Sequence, residues 1–244
     1  MAHTEIEQGN LITAGKAKAL YETNNPEYIW VHNLDQATAL NGKRKEAVAD
    51  KAYYTNQISR YLFEYLNQKG VPTHYVEALN ETDSLVHRLT MLPIEVVTRN
   101  YASGHFVSRF DVEPMFPLEP TVLEFYYKSD ALDDPFMNDS HILALNLASL
   151  ENITRIKDLT HQINPLLNQL FDEIGITLVD FKLEFGRNTD DVIVLGDELS
   201  PDNMRLVDQT TGDSLDKDVF RQQTGDLTTG YAQVLTRLQA KLGE

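Results

Sequence analysis

No cysteine occurs in the chain, which excludes disulfides and thiolate zinc sites and fits a reducing compartment. We therefore expect a cytoplasmic protein. No run of eighteen apolar residues is present, so no membrane-spanning helix is expected. The start, Met1-Ala2-His3-Thr4-Glu5-Ile6-Glu7-Gln8, has neither a basic flank nor an apolar segment and does not read as a signal peptide. Positive charge is scarce: 21 Lys and Arg stand against 37 Asp and Glu, a net charge of −16. Such a surface argues against nucleic-acid and anionic-membrane partners. If the substrates are themselves anions, the few basic residues have to be gathered in one place. The Gly-x4-Gly-Lys-Ser/Thr spacing of a P-loop is absent. So are internal repeats, low-complexity tracts and any linker between independent domains.

At 244 residues with 42% apolar content, the chain can build one large domain or two lobes. Its centre is Leu178-Val179-Asp180-Phe181-Lys182-Leu183-Glu184-Phe185-Gly186. Strict alternation puts Val179, Phe181, Leu183 and Phe185 on one face of a strand and Asp180, Lys182 and Glu184 on the other. The polar face sets one ammonium between two carboxylates, ~6–7 Å from each. Gly186 to Asp191 is a turn by composition, and Val192 to Glu198 is a second apolar strand ending in acids. The pair reads as an antiparallel hairpin that returns Asp197 toward Asp180, Lys182 and Glu184, in a register the loop does not fix. Two readings stay open. One is a solvated face with ion pairs; the other is a divalent-cation site, since Mg²⁺ takes one or two carboxylates plus substrate phosphates.

In chain order, residues 11–32 read as strand, turn and strand, with Gly15-Lys16-Ala17-Lys18 leading into Ala19-Leu20-Tyr21 and the turn at Asn24-Asn25-Pro26-Glu27. Lys16 and Lys18 are expected on one strand face, as a polyphosphate cradle or an ordinary basic hairpin. Ala37 to Lys43 is a small-residue turn, followed by a helix from Glu46 to Lys69 ended by Gly70 and Pro72. Pro93 is expected to interrupt a strand that resumes over Ile94–Arg99, which makes Met91-Leu92-Pro93 a hinge. The chain then divides into an N-terminal lobe over residues 1–90 and a C-terminal lobe over 91–244. Arg99 at a strand end, before the small residues leading to His105, suits a bidentate clamp on phosphate or carboxylate. Asp111 to Pro120, with three prolines, is expected as a loop, and Thr121 to Lys128 as a strand. The polar segment Ser129 to His141 suits a binding loop or lid, with His141 a base, a ligand or a capping residue. A helix is expected from Leu150 to Ile174 with Ser149 as N-cap and a kink or break near Asn164, before Pro165. Another is expected over Leu227–Leu242.

Taken together, these segments resemble the SAICAR synthetase family over nearly the whole chain, from about Leu11 to Leu242. The resemblance is carried by Gly15-Lys16-Ala17-Lys18 with Tyr21, Ala37 to Gly42, Arg99-Asn100 and Asp134-Pro135. It continues through Leu178 to Gly186, Leu195 to Asp202, Arg205-Leu206, and Asp216-Lys217-Asp218 with Phe220-Arg221. It implies an α+β fold of two lobes, each with an antiparallel sheet flanked by helices, and ATP in the cleft between them. It also implies a ligase of purine biosynthesis. ATP phosphorylates the carboxylate of carboxyaminoimidazole ribonucleotide, and the amine of L-aspartate displaces phosphate from the acyl phosphate.

On this resemblance Gly15, Lys16, Ala17 and Lys18 meet the ATP phosphates, and the adenine lies near Met91. Glu184 and Asp197 hold Mg²⁺, and Asp180 and Lys182 sit at the transferring group as catalytic and substrate-binding residues. Arg99, Arg205 and Arg221, with His105, bind the ribonucleotide. The Asp134-Pro135 loop belongs to the aspartate site or a lid over it. Two positions depart from the family pattern: His105 stands where a serine is usual, and Val207 where a tryptophan follows the Arg-Leu pair. Imidazole can still donate to phosphate. The alternatives are a small-molecule kinase that stops at phosphoryl transfer and a non-catalytic nucleotide-binding homologue. Association into a homo-oligomer is compatible with the sequence and not specified by it.

Overall fold

Short alternating segments separated by Gly, Asn and Pro turns become antiparallel ladders, and the longer periodic segments become helices laid on them. The computed structural model describes residues 6–39 and 44–243. Strands β1 (Gln8–Ala14), β2 (Lys18–Thr23) and β3 (Tyr28–Asn33) form successive hairpins. β4 (Gln36–Ala39) and β5 (Arg44–Ala47) make a separate ladder, so Ala37–Ala39 are strand; the remainder of the expected turn, 40–43, lies outside the described residues. Helix α1 (Lys51–Gln68) starts later than expected. Arg44–Ala47 are committed to the ladder, and Asp50 takes a left-handed φ of 62° that a helix cannot continue from. Ala52 N donates to the Asp35 carboxylate at 2.8 Å, satisfying one of the N–H groups a helix start leaves open. β6 (Tyr75–Ala78) and β7 (Asp83–His87) complete a sheet of order β1-β2-β3-β7-β6.

The second sheet is built on β8 (Thr90–Tyr101), an unbroken strand that runs through Pro93. The expected interruption is instead a bulge. Glu95 pairs Glu184 and Met91 pairs Gly186, so Leu92, Pro93 and Ile94 stand opposite Phe185 alone, and the missing N–H of Pro93 falls where the ladder is already irregular. Helix α2 (Gly104–Phe110) follows, unforeseen from the sequence. β9 (Pro117–Tyr127) begins inside the expected proline loop. Its first half is unpaired on the far side, because β10 (Phe136–Met137) reaches only Phe125 and Tyr126, and proline is tolerated on such an edge. The polar segment before His141 holds a 3₁₀ turn at Asp130–Leu132, then β10, then α3 (Asp139–Ala144), in which His141 belongs to a capping box with Asn138.

Helix α4 (Leu150–Glu173) has the expected Ser149 cap, whose hydroxyl accepts from Asn152 N. Pro165 does not break it: Ile163 and Leu167, on either side, are both buried, and tertiary packing outweighs the lost bond. β11 (Ile176–Arg187) and β12 (Ile193–Gly196) are the expected hairpin. β11 lies between β8 and β12 and also pairs β13 (Met204–Asp208), giving the order β10-β9-β8-β11-β12 with β13 beside β11. A register shift between Leu178 and Asp180 against β13 alters the alternation. Leu178, Phe181, Leu183 and Phe185 join the main core cluster, while Val179 is buried outside it. Helix α5 (Asp218–Gln222) precedes α6 (Leu227–Leu242), which packs on α1. Ile58 and Leu62 of α1, Leu159 of α4, Leu183 of β11 and Leu238 of α6 share that one core. Each such side chain stabilises by roughly 1.5–3 kcal/mol. No described helix is long and apolar enough to cross a membrane.

Candidate active site

The polar face of β11 is not solvated. Asp180 and Glu184 are 3% and 2% exposed, and Lys182 is half-buried between partner strands. Pairing sets Asp180 across from Arg99 of β8 on one side and Arg205 of β13 on the other. Arg99 Nη1 donates to Asp180 Oδ2 at 2.6 Å, Arg205 Nη1 donates to the same oxygen at 2.8 Å, and Ser103 Oγ donates to it as well. Arg205 Nε also donates to Asp218 at 2.7 Å, and Arg221 Nη1 donates to the other Asp218 oxygen at 2.5 Å. The three expected arginines are thus joined through two carboxylates. Burial works against the Arg205 charge, but Asp180 and Asp218 outweigh it and hold the guanidinium above its ordinary pKa. His105 stands exposed in the first turn of α2. Its neighbour Gly104 has a φ of 51°, and a Cβ there would stand 3.1 Å from Arg205 Nη2. Glycine therefore serves both the turn and the close approach of the guanidinium.

A second cluster lies further along β11. Lys182 Nζ donates to Glu184 at 2.9 Å and to Glu95 at 2.6 Å. Its partners are therefore Glu184 and a β8 carboxylate, not the Asp180–Glu184 pair expected from the alternation. Lys128 pairs with the other oxygen of Glu184. Lys18 Nζ lies 2.8 Å from Asp197 and 3.2 Å from Glu198. Burial opposes ionisation of Asp197, yet the charges of Lys18, Lys182 and Lys128 hold its carboxyl well below the usual range. Burial likewise opposes the Lys182 charge, which Glu184, Asp197 and Glu95 keep. Glu184 and Asp197 therefore answer to the same ammonium, although one lies on β11 and the other in the bend after β12. The expected strand face shared by Lys16 and Lys18 is corrected. Lys16 sits in the bend before β2 and reaches Asp130 at 2.5 Å instead. The bend is tied down by its carbonyls: Leu34 N donates to Ala17 O at 2.8 Å and Gln36 Nε2 to Lys16 O at 2.6 Å, while Gly15 N donates to Lys18 O at 2.8 Å. Met91 is 41% exposed and lies over Gly186, where a Cβ would stand 3.0 Å from its sulfur.

Two carboxylates among three ammonium groups are a donor set of the kind Mg²⁺ takes beside substrate phosphates. Among the described residues no three His, Cys, Asp or Glu side chains group as a metal cage.

Sequence reasoning missed Glu95, Glu124 and Lys128. A lone Glu124 in the apolar run Val122–Tyr127 was the available signal for one of them. It also missed His74, which burial, and then the nearby Lys18 charge, push down to about 3. A histidine kept neutral when folded takes up no proton between pH 6.5 and 3, whereas the unfolded chain does. Acidification over that window therefore favours unfolding. We expect stability to fall by about 1.4 kcal/mol per pH unit below pH 6 on this account, and His74→Gln to flatten the slope. Urea titrations between pH 4.5 and 7 measure it; equal slopes in both proteins refute it.

The family model for SAICAR synthetase matches residues 11–238. The chain belongs to the SAICAR synthetase family. The phosphoribosylaminoimidazole-succinocarboxamide synthase of Lacticaseibacillus casei is 54% identical over 231 residues, covering 95% of this chain and 96% of that protein. The synthase of Oenococcus oeni is 52% identical, covering 96% and 97%. Among solved structures, the synthase of Ehrlichia chaffeensis superposes with a TM-score of 0.92 at 40% identity, covering 95% of this chain and 99% of its own. A SAICAR synthetase solved with ADP gives 0.91 at 35% identity, covering 96% and 100%. The α+β architecture of antiparallel sheets and helices is that of the family.

Proposed function

We propose that this chain joins L-aspartate to the carboxylate of carboxyaminoimidazole ribonucleotide at the expense of ATP, releasing the succinocarboxamide, ADP and phosphate. The observation that supports this most directly is the placement of two charge clusters along one strand. Asp180 on β11 sits among arginines, and four residues on, Glu184 sits among lysines. A ligase of this kind has to hold three anions side by side and neutralise charge as it moves between them.

A carboxylate is a poor acyl donor because its leaving group would be oxide or hydroxide. Transfer of the γ-phosphoryl group to it forms a C–O–P linkage and releases ADP. The aspartate amine then attacks the carbonyl carbon, the C–O bond to phosphate breaks, and the amine loses a proton. In our reading Lys18 and Lys16 leave their acid partners for the ATP phosphates, and the adenine lies by Met91. The nucleotide occupies the division near residue 90, between the sheet ending in β6 and the sheet built on β8. Arg99, Arg205, Arg221 and His105 bind the ribonucleotide's phosphate and carboxylate, and Asp180 fixes the forks of Arg99 and Arg205. Lys182 stands between the clusters, where charge develops on the transferring group. Glu184 and Asp197 are the residues that would hold Mg²⁺, which when bound would supply positive charge to screen the phosphates. The Asp134-Pro135 loop forms the aspartate site or its cover. A cytoplasmic location suits such small soluble substrates and the absence of cysteine.

The test is ADP release with ATP, Mg²⁺ and carboxyaminoimidazole ribonucleotide, with and without L-aspartate. We expect release to require aspartate and to yield the succinocarboxamide. Release without aspartate would instead make the chain a kinase, and no release from a protein that still binds ATP would make it a non-catalytic homologue.

A further inference from the structure

Arg99 is set in place by a residue that does not face the proposed substrates. Glu124, on β9, is 4% exposed, and both of its oxygens are used. Oε2 accepts from Arg99 Nε at 2.7 Å and from the Tyr126 hydroxyl at 2.9 Å. Oε1 accepts from Arg109 Nη1 at 2.8 Å. Arg109 is the penultimate residue of α2, four residues after His105, so the two lie on the same side of that helix. Its guanidinium is held a second way, 4.9 Å from the centroid of the Phe136 ring on β10.

A buried carboxylate is costly unless its lone pairs are filled, and two arginines filling one carboxylate fix each other's positions. Here the fixed objects are Arg99 on β8 and the seven-residue helix that carries His105. That helix has no buried residue of its own and no side-chain cap bond. Packing alone therefore does not hold it.

We propose that Glu124 and Arg109 are a positioning pair that locks Arg99 and the His105 helix into one ribonucleotide-binding surface. The inference rests on the reading that Arg99 and His105 face the ribonucleotide. Glu124→Gln keeps the shape but replaces one acceptor by an amide nitrogen, so one of the two arginines loses its partner. Arg109→Met removes the tether at a side chain that is 33% exposed and so is less committed to the core than Glu124.

Calorimetric titration with carboxyaminoimidazole ribonucleotide, alongside steady-state kinetics, tests the pair. We expect Glu124→Gln to weaken ribonucleotide binding and raise its KM by about 10- to 100-fold, with the ATP KM within about twofold of the unmodified enzyme. Arg109→Met should act in the same direction, and the double variant should be little worse than Glu124→Gln alone, because the link is already cut. Ribonucleotide affinity within twofold in both single variants overturns the inference, as does an equal rise in both KM values or a multiplicative double variant. If Glu124→Gln fails to fold, Arg109→Met decides alone. An unmodified protein that binds no ribonucleotide refutes the functional reading and this inference together. One that binds it equally well in every variant refutes the inference alone.

Discussion

Glu184→Gln and Asp197→Asn should each lower aspartate-dependent turnover by about 10²–10³-fold while leaving the protein folded. The fold is expected to survive because no ammonium is stranded. Without the Glu184 charge, Lys182 keeps Glu95 at 2.6 Å, and Lys128, 49% exposed, returns to water. Without the Asp197 charge, Lys18 keeps Glu198 at 3.2 Å. What is lost is a negative oxygen at the proposed metal position. The half-saturating Mg²⁺ concentration should rise with the loss of turnover, and calorimetry should show weaker Mg²⁺-dependent nucleotide binding. Near-normal turnover at an unchanged Mg²⁺ requirement would remove both residues from the metal site.

The largest expected change in stability lies elsewhere, at Asp202. Its carboxylate is buried with Lys51, the first residue of α1, at 2.8 Å and with Lys217 at 3.3 Å, and Tyr231 of α6 donates to its other oxygen. Burial alone would raise its pKa, but Lys51 and Lys217 hold the carboxyl well below the usual range. Asp202→Asn leaves two buried ammonium groups without the carboxylate that pairs them, which costs about 3–5 kcal/mol. The melting temperature should drop on the order of 10 °C for a chain of this size. A carboxylate with a depressed folded pKa gives its full stabilisation above the unfolded value near 4 and loses it as pH falls further. The gap between variant and unmodified protein should therefore be full at pH 7 and narrow only below about pH 4. Calorimetric scans at pH 7 and pH 3.5 check this; an unchanged melting temperature at pH 7 would show that the ammonium groups find other partners.

Much of the fold could be read from local pattern. Leu150–Glu173 was legible because its apolar period and its Ser149 cap agree, and Leu227–Leu242 because of its amphipathic period. The β11–β12 hairpin was legible because alternation over Leu178–Gly186 is hard to place in anything but a strand. Helix α2 was not, since seven residues with no side-chain cap bond give no periodic signal. The start of α1 was misplaced because the backbone of Arg44–Ala47 was already committed to a ladder with β4. In the candidate site, the individual residue types at Arg99, Asp180, Glu184 and Asp197 were legible, but their partners were not. Whether Lys182 meets Asp180 or Glu95 is a matter of register between β8 and β11, and that register contains a bulge at Pro93 that no local rule supplies. Lys16 and Lys18 look equivalent in sequence. One bend in the backbone sends them to Asp130 and Asp197, which are far apart along the chain.

The packing of α1 against α6 has a consequence for synthesis. The apolar stripe of α1 leaves the ribosome well before the α6 helix that packs on it. At about 5–20 residues per second, the interval between them is on the order of ten seconds or more. During that time Ile58, Leu62 and Leu66 lack the α6 part of the core they share, and association with other nascent chains competes with folding. Closure of the core around α1 thus waits on a helix encoded far downstream of it.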